Sequence, residues 1–184
     1  HVNISLPDGD QFDDGYRKLN PQGRVPTLID GDKILYQSMA ILEYLEETQP
    51  KPAFLPSDPL GRARVRGLAD IIACDIHPLN NLAILKFLGG EMGVDKDAVD
   101  VTWYQHWINE GFSALEAYLA NDSETGVFAH GDHPGIVDIC LVPQVFNAQR
   151  YECDLSLFPR LMGIFAECMK LDAFNLAQPS KQSE

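Results

Sequence analysis

The fold of this chain is decided by residues 25–38, which read VPTLIDGDKILYQS. Two short apolar runs, residues 27–29 and 33–36, flank an Asp-Gly pair, which is a strong short-range signal for a β-hairpin. Pro26 cannot donate to a strand ladder, so the backbone of Val25 is left to pair with something other than its own sheet. An extended peptide ligand suits that place.

A helix is predicted directly after the hairpin, from Ser38 to Gln49. Its apolar positions recur with helical spacing, and Ser38 stands where an N-cap belongs. A helix start offers unpaired backbone NH groups and a partial positive charge, which favour a ligand carboxylate. Because serine is a common N-cap, a purely structural role for Ser38 is the alternative.

Composition restricts the class of partner. The chain has 184 residues, 45% of them hydrophobic, and a formal net charge of −13. Nucleic acid and anionic membranes need a basic surface, so both are unexpected partners, and an anionic substrate would need local arginines. No run is long enough to span a bilayer, no signal peptide is visible, and the four cysteines show no paired spacing. We therefore expect reduced core thiols and a cytoplasmic protein.

Two domains are expected. Residues 1–49 mix short strands and helices, including the end of a strand at residues 2–4 and a short helix near residues 13–19. Residues 50–59 contain four prolines and form a linker. Residues 60–184 are predicted to be almost entirely helical, with apolar stripes that form a core. These stripes are Val65, Leu68, Ile72 and Ile76, and Trp107, Phe112, Leu115, Tyr118 and Leu119. The predicted fold class is thus an α+β domain followed by an all-α domain.

Polar residues interrupt the first long helix of the second domain. Pro78 should bend its axis, and His77 and Asn81 are four residues apart, so both lie on one helix face beside the bend. The alternative is a polar pair satisfied in the core or by solvent. His130 and His133 share a turn without a third ligand, which is a weak metal signature, so we expect no metal site.

Four segments resemble the zeta class of glutathione transferases, the maleylacetoacetate isomerases. They are residues 20–28, 37–47, 75–82 and 138–151. The first two patterns are shared widely among glutathione transferases, and the last two are more specific. The resemblance covers essentially the whole chain. It implies a thioredoxin-like, glutathione-binding domain at residues 1–49, an all-helical substrate domain at residues 60–184, and a homodimer.

The resemblance also implies roles for residues of the first domain. Val25 should form backbone hydrogen bonds to the cysteinyl part of glutathione, beside a cis Pro26. Gln37 and Ser38 should hold its γ-glutamyl end. Gln11 matches a glutamine that contacts the tripeptide in the family. Glutathione is therefore the expected cofactor.

Three residues of the second domain match family positions. His77 and Asn81 match residues that contribute to glutathione binding, and Arg150 matches an arginine assigned to the substrate carboxylate. A guanidinium suits bidentate recognition of carboxylates, although a surface or structural ion pair is the alternative. Gly135 departs from the family, which usually has a hydroxyl N-cap there. Asp138 can still reach back to the backbone, so the helix should survive.

The catalytic residue is unknown from this sequence. In the family a catalytic serine lies in a turn between the first strand and the first helix, and alignment by motif places that turn upstream of His1. We therefore expect the protein to contain a further strand and helix before His1. Without them, the strand predicted to end at residues 2–4, which is the second strand of the family's fold, would have no neighbour.

The activity implied by the resemblance is cis–trans isomerisation of maleylacetoacetate to fumarylacetoacetate, in aromatic amino acid catabolism. It proceeds by thiolate addition, bond rotation and elimination, so glutathione is not consumed. Isomerisation of maleylpyruvate and turnover of small α-halo acids are the close alternatives. A non-catalytic glutathione-binding scaffold is a rival of another class. A module that uses the fold only to dimerise has no evident need for His77, Asn81 and Arg150.

Overall fold

The computed structural model describes residues 1–182 of the chain. Two compact units divide these residues, one of residues 1–53 and one of residues 54–182. The first unit contains the strands, and the second is built from helices and loops. Among the described helices, none combines the length and the apolar character that crossing a bilayer requires.

The first unit contains two short helices and one hairpin. A 3-10 turn at Asp10–Phe12 precedes helix α1, Asp14–Leu19; strands β1, Thr27–Asp30, and β2, Lys33–Tyr36, then lead into helix α2, Ser38–Thr48. The strands pair antiparallel, with Thr27 opposite Tyr36 and Asp30 opposite Lys33. Gly31 begins the two-residue turn with φ of 60°, a conformation that glycine adopts without strain. The predicted hairpin is confirmed.

Two predictions for this unit are wrong. Residues 2–4 form no strand, because no described segment pairs with them in a ladder. Ser38 is not the N-cap of α2. The carbonyl of Gln37 already accepts from the Ile41 NH at 3.0 Å, so Gln37 is the cap and Ser38 is the first helical residue. Gln37 reverses the chain with φ of 73°, outside the helical region.

The second unit contains six α-helices and two π-helical segments among its described residues. The elements are α3, Pro59–Asp70; a first π segment, Ile71–Ile76; α4, Leu82–Gly90; a second π segment, Ala98–Gln105; α5, His106–Asn121; α6, Ile136–Arg150; α7, Pro159–Cys168; and α8, Asp172–Leu176. Helix α3 packs on α6, and α7 packs on both α5 and α6. The predicted core positions Val65, Leu68, Phe112 and Leu115 are buried. Tyr118 was expected in the core but is 60% exposed.

The helix that contains Pro78 ends instead of bending. The first π segment stops at Ile76, residues 77–80 form a turn, and Asn81 is extended with φ of −66° and ψ of 141°. The Asn81 side chain accepts from the Ala83 NH at 3.0 Å and so caps α4. His77 and Asn81 therefore do not share a helix face, and that prediction is wrong. A proline has no backbone NH to donate, so Pro78 removes one helical hydrogen bond and promotes the break.

Helix α6 begins as expected despite its glycine cap. The Gly135 NH donates to Asp138 Oδ2 at 2.8 Å, and the Ala129 NH donates to Asp138 Oδ1 at 3.1 Å. A Cβ atom at position 135 would lie 2.6 Å from the Phe54 carbonyl oxygen. Glycine thus permits a close backbone approach at the cost of a side-chain cap.

Arg64 holds the loop between α5 and α6. Its Nε donates to Asp122 at 2.6 Å, one Nη donates to the Ala129 carbonyl at 2.9 Å, and the other donates to Thr125 at 2.8 Å. The Glu124 NH and then the Arg64 guanidinium lower the pKa of Asp122. This charged network fixes the loop that separates the two helices.

Candidate functional site

The predicted glutathione-contacting residues of the first unit, except Gln11, meet at one end of the hairpin. Thr27 and Tyr36 form the last pair of the ladder, so Pro26 and Gln37 follow it on the two sides. The Val25–Pro26 peptide bond is cis, as the resemblance predicted. Val25 is 41% exposed, and its peptide groups make no hydrogen bond to other described residues. This end of the hairpin presents main-chain atoms that an extended peptide can pair with.

Two side chains that were not singled out as candidate site residues hold this end in place. The Tyr16 hydroxyl donates to the Arg24 carbonyl at 2.6 Å and lies 2.9 Å from Thr27 Oγ1. The buried Asn20 amide donates to the same carbonyl at 2.8 Å. Asn20 follows α1 in an extended conformation, so no helical spacing relates it to Tyr16 and sequence reasoning had no signal for this pair.

The start of α2 carries the other predicted pair. The Gln37 amide donates to Gln22 Oε1 at 2.8 Å, which ties the helix start to the loop before β1. Ser38 is exposed, and its hydroxyl has no hydrogen-bond partner among residues 1–182. The positive φ of Gln37 is uncommon for a side-chain-bearing residue, and such conformations cluster at ligand sites.

Gln11 lies in a different environment. Its side chain is buried, with 5% exposure, and its amide NH₂ donates to the Leu6 carbonyl at 3.5 Å. The amide oxygen has no partner among the described residues. A buried acceptor without a donor is uncommon. The contact of Gln11 with the tripeptide stays a prediction.

In the second unit, the second π segment holds the turn that contains His77. The Trp103 indole NH donates to the Leu79 carbonyl at 2.8 Å, and the Asn80 amide donates to the Tyr104 carbonyl at 3.4 Å. His77 is exposed on this turn. The turn and the α4 cap that follows it are thus positioned by residues about two dozen positions further along the chain.

The same π segment holds the end of α6. The Gln105 amide donates to the Tyr151 carbonyl at 2.7 Å, and the Tyr104 and Tyr151 rings stack with centroids 3.6 Å apart. Burial raises the pKa of Tyr104, which keeps its phenol neutral. The segment therefore ties Arg150 to the same scaffold as the turn of His77.

Arg150 lines a cavity of about 630 Å³ inside the second unit. Four apolar side chains from α4 and the following segments line it as well, namely Leu82, Leu85, Val94 and Val99. The Arg150 guanidinium is exposed and lies 5.9 Å from the centre of the Tyr151 ring. No carboxylate among residues 1–182 forms an ion pair with it. Among residues 1–182, Arg150 therefore has no structural ion pair, which was the alternative role considered for it.

The four cysteines are free thiols and are not activated. Burial raises the pKa of Cys140 and Cys168 to about 12 and that of Cys153 to about 11. Cys74 is exposed, which corrects the expectation that all four lie in the core. A thiolate at neutral pH is thus not supplied by these side chains. Among residues 1–182, no three His, Cys, Asp or Glu side chains converge as metal ligands.

Similarity to known proteins settles the family. Residues 1–48 match the model of the glutathione S-transferase N-terminal domain. Maleylpyruvate isomerase from Ralstonia is 44% identical over 184 residues, which are 100% of this chain and 86% of that protein. A holo structure of maleylpyruvate isomerase, described as a bacterial glutathione S-transferase of the zeta class, superposes with a TM-score of 0.95 at 45% identity and covers 98% of this chain and 85% of its own. This chain belongs to the zeta class of the glutathione transferases.

A second relative was solved with bound small molecules. Maleylacetoacetate isomerase from Methylobacterium extorquens AM1, solved with malonate and glutathione, is 36% identical with a TM-score of 0.93 and covers 99% of this chain and 85% of its own. The fold class predicted from the sequence, a thioredoxin-like domain followed by an all-helical one, is confirmed for this glutathione transferase.

Proposed function

We propose that this glutathione transferase is a glutathione-dependent cis–trans isomerase whose substrate is maleylacetoacetate. Isomerases of maleyl compounds match it over its whole length, and the structure adds one observation that carries the assignment. Arg150 has no ion-pair partner among residues 1–182 and lines a cavity beside apolar side chains, where a carboxylate is the natural partner of a guanidinium. Maleylpyruvate is the second candidate substrate, because a relative that is 44% identical is named maleylpyruvate isomerase.

Glutathione is the cofactor, and the first unit fits it. The exposed Val25 peptide without a partner suits the backbone of a tripeptide, and the start of α2 suits its carboxylate. Bound glutathione supplies the thiol that opens the cis double bond to rotation and is released afterwards. Because the chain's own cysteines are held as neutral thiols, they do not compete with it.

Each residue is proposed for a distinct task. Val25 pairs through its backbone with the cysteinyl part of glutathione, beside Pro26, and Gln37 and Ser38 hold the γ-glutamyl end. Arg150 binds a substrate carboxylate through two parallel NH groups, which fixes the double bond relative to the nucleophile.

Three further contacts rest on the resemblance alone. His77, Asn81 and Gln11 are proposed to bind glutathione. The Asn81 side-chain oxygen already accepts one hydrogen bond as a helix cap, so its NH₂ and the second lone pair of that oxygen are left for such a contact.

The test is an assay of the purified protein with glutathione and each maleyl substrate. We expect conversion of both compounds, with a higher kcat/KM for maleylacetoacetate and no net loss of glutathione. Chloroacetate serves as the α-halo acid. Turnover of chloroacetate without isomerisation of either maleyl compound would overturn the proposal, and so would glutathione binding without any turnover.

We also propose a homodimer in the cytoplasm, with residues 1–49 as the glutathione-binding domain, residues 50–59 as linker and residues 60–184 as the substrate domain. Four free cysteines suit a reducing compartment. Light scattering on a size-exclusion column tests the dimer, and a single-subunit mass would contradict it.

A further inference from the structure

The cavity that contains Arg150 has more cationic side chains on its wall than carboxylates to balance them. Three cationic side chains line it, Arg150, Lys86 and Lys96, together with one carboxylate, Asp100. Lys96 forms an ion pair with Asp100, so Arg150 and Lys86 are left uncompensated. In a chain with a formal net charge of −13, such a local excess concentrates anions at one place.

Lys86 is placed on the cavity wall by the geometry of α4. Leu82, Leu85, Lys86 and Gly89 all line the cavity, and their spacing of three, four and seven residues defines one helix face. The Lys86 side chain is exposed, and no carboxylate of residues 1–182 pairs with it. The Asn81 cap fixes where this helix begins and therefore which residues face the cavity.

From this juxtaposition we infer that Lys86 binds the second carboxylate of a dicarboxylate substrate whose first carboxylate is bound by Arg150. The inference rests on the proposed function, since it takes Arg150 as the substrate anchor. Maleylacetoacetate and maleylpyruvate each carry two carboxylates, whereas a small α-halo acid carries one. Lys86 is thus a specificity-determining residue that favours dianionic over monoanionic substrates.

Direct binding tests the inference without turnover. Malonate is the dianion, and monomethyl malonate is a monoanion of nearly the same shape. Calorimetry on the glutathione-loaded protein should show malonate binding about tenfold weaker in Lys86→Met, as expected for the loss of a charged hydrogen-bond donor. Monomethyl malonate should change less than about twofold, because it lacks the charge that the lysine recognises.

Two control variants separate the role of Lys86 from general effects of charge. Lys170→Met removes an exposed lysine of the same unit that lies on Glu167 and does not line the cavity, so it should bind malonate like the wild type. Lys86→Arg keeps the charge and should retain most of the affinity.

The outcomes distinguish this inference from the proposed function. If Lys86→Met binds malonate and isomerises maleylpyruvate like the wild type, the inference is wrong and the isomerase assignment stands. If the wild type isomerises nothing, the isomerase assignment fails. In that case the malonate measurements still decide the lysine, because equal affinities in Lys86→Met and wild type would overturn its role.

Discussion

The candidate sites of the two units present different kinds of atoms. At the end of the hairpin the groups that can meet a ligand are mainly main-chain atoms, around Val25 and the start of α2, held by Tyr16 and Asn20. In the helical unit they are charged side chains on a cavity wall, held by the second π segment. Mutations should therefore act through different kinds of residue in the two units. At the hairpin the anchors should matter more than the ligand-facing side chains, and in the helical unit the reverse should hold.

The largest effect is expected at Arg150. Arg150→Met should lower kcat/KM for the maleyl substrate about 50-fold, because a charge-assisted contact to a carboxylate is lost. Arg150→Lys should lose about fivefold to tenfold, since it keeps the charge without the planar fork. Initial rates with saturating glutathione measure both. Equal rates for Arg150→Met and the wild type would show that the cavity does not act through its charged side chains.

Asn20→Ala should have the next largest effect. It removes the buried amide that holds the Arg24 carbonyl, so we expect a loss of about 2 kcal/mol in the free energy of unfolding and about fivefold weaker glutathione binding. Val25→Ala leaves the backbone in place and should change glutathione affinity less than about twofold. Urea denaturation and calorimetry measure the two quantities. A Val25→Ala variant that binds glutathione worse than Asn20→Ala would contradict the view that this end works through main-chain atoms.

Gln105→Ala should have a smaller effect, because Gln105 acts through another residue. Without its bond to the Tyr151 carbonyl, the end of α6 is less fixed, so KM for the maleyl substrate should rise about threefold while kcat and KM for glutathione stay unchanged. Asn121→Ala is a matched control, since it removes an amide-to-carbonyl bond of 2.8 Å elsewhere in the unit. Similar kinetics in both variants would show that Gln105 is only structural.

The smallest expected effect is a difference in acid response. The anchors of the hairpin end are neutral, whereas the α5–α6 loop depends on Asp122 and Arg64. Because the pKa of Asp122 is lowered in the folded state, its contribution to stability is present above its unfolded pKa, near 4, and is lost as the pH falls through the lowered value. Asp122→Asn should therefore be less stable at pH 6 and show a shallower fall in unfolding free energy between pH 5 and pH 2. Parallel curves for the two proteins would refute this.

Local signals in the sequence predicted local structure well. The hairpin at residues 27–36, the helix that follows it and the contact of Asp138 with its own helix start all depend on neighbours within about a dozen residues. Where two local preferences competed, the prediction failed. Serine suits an N-cap, but the chain reversal at Gln37 moved the cap one residue earlier.

Contacts between distant segments could not be predicted in the same way. The bonds from Trp103 to Leu79 and from Gln105 to Tyr151 join residues that no periodicity relates. The charged lining of the cavity is also invisible in the sequence, because Lys86 and Arg150 come from different helices. Arg150 itself was found only through the resemblance to a family. The residues that position it, Tyr104 and Gln105, were not found from the sequence at all.

The second π segment has a consequence for the cavity wall. Its hydrogen bonds span five residues instead of four, so it holds one residue more than an α-helix would need for the same turn. Deleting one residue inside α5 would rotate the residues before it by about 100°, whereas the same deletion between Asp100 and Trp103 would let the segment wind as an α-helix while Val99 and Asp100 keep their direction. The bonds made by Trp103 and Gln105 would stay in register with that helix. A change of chain length by one residue should therefore be tolerated better in this segment than in the regular helices of the same unit.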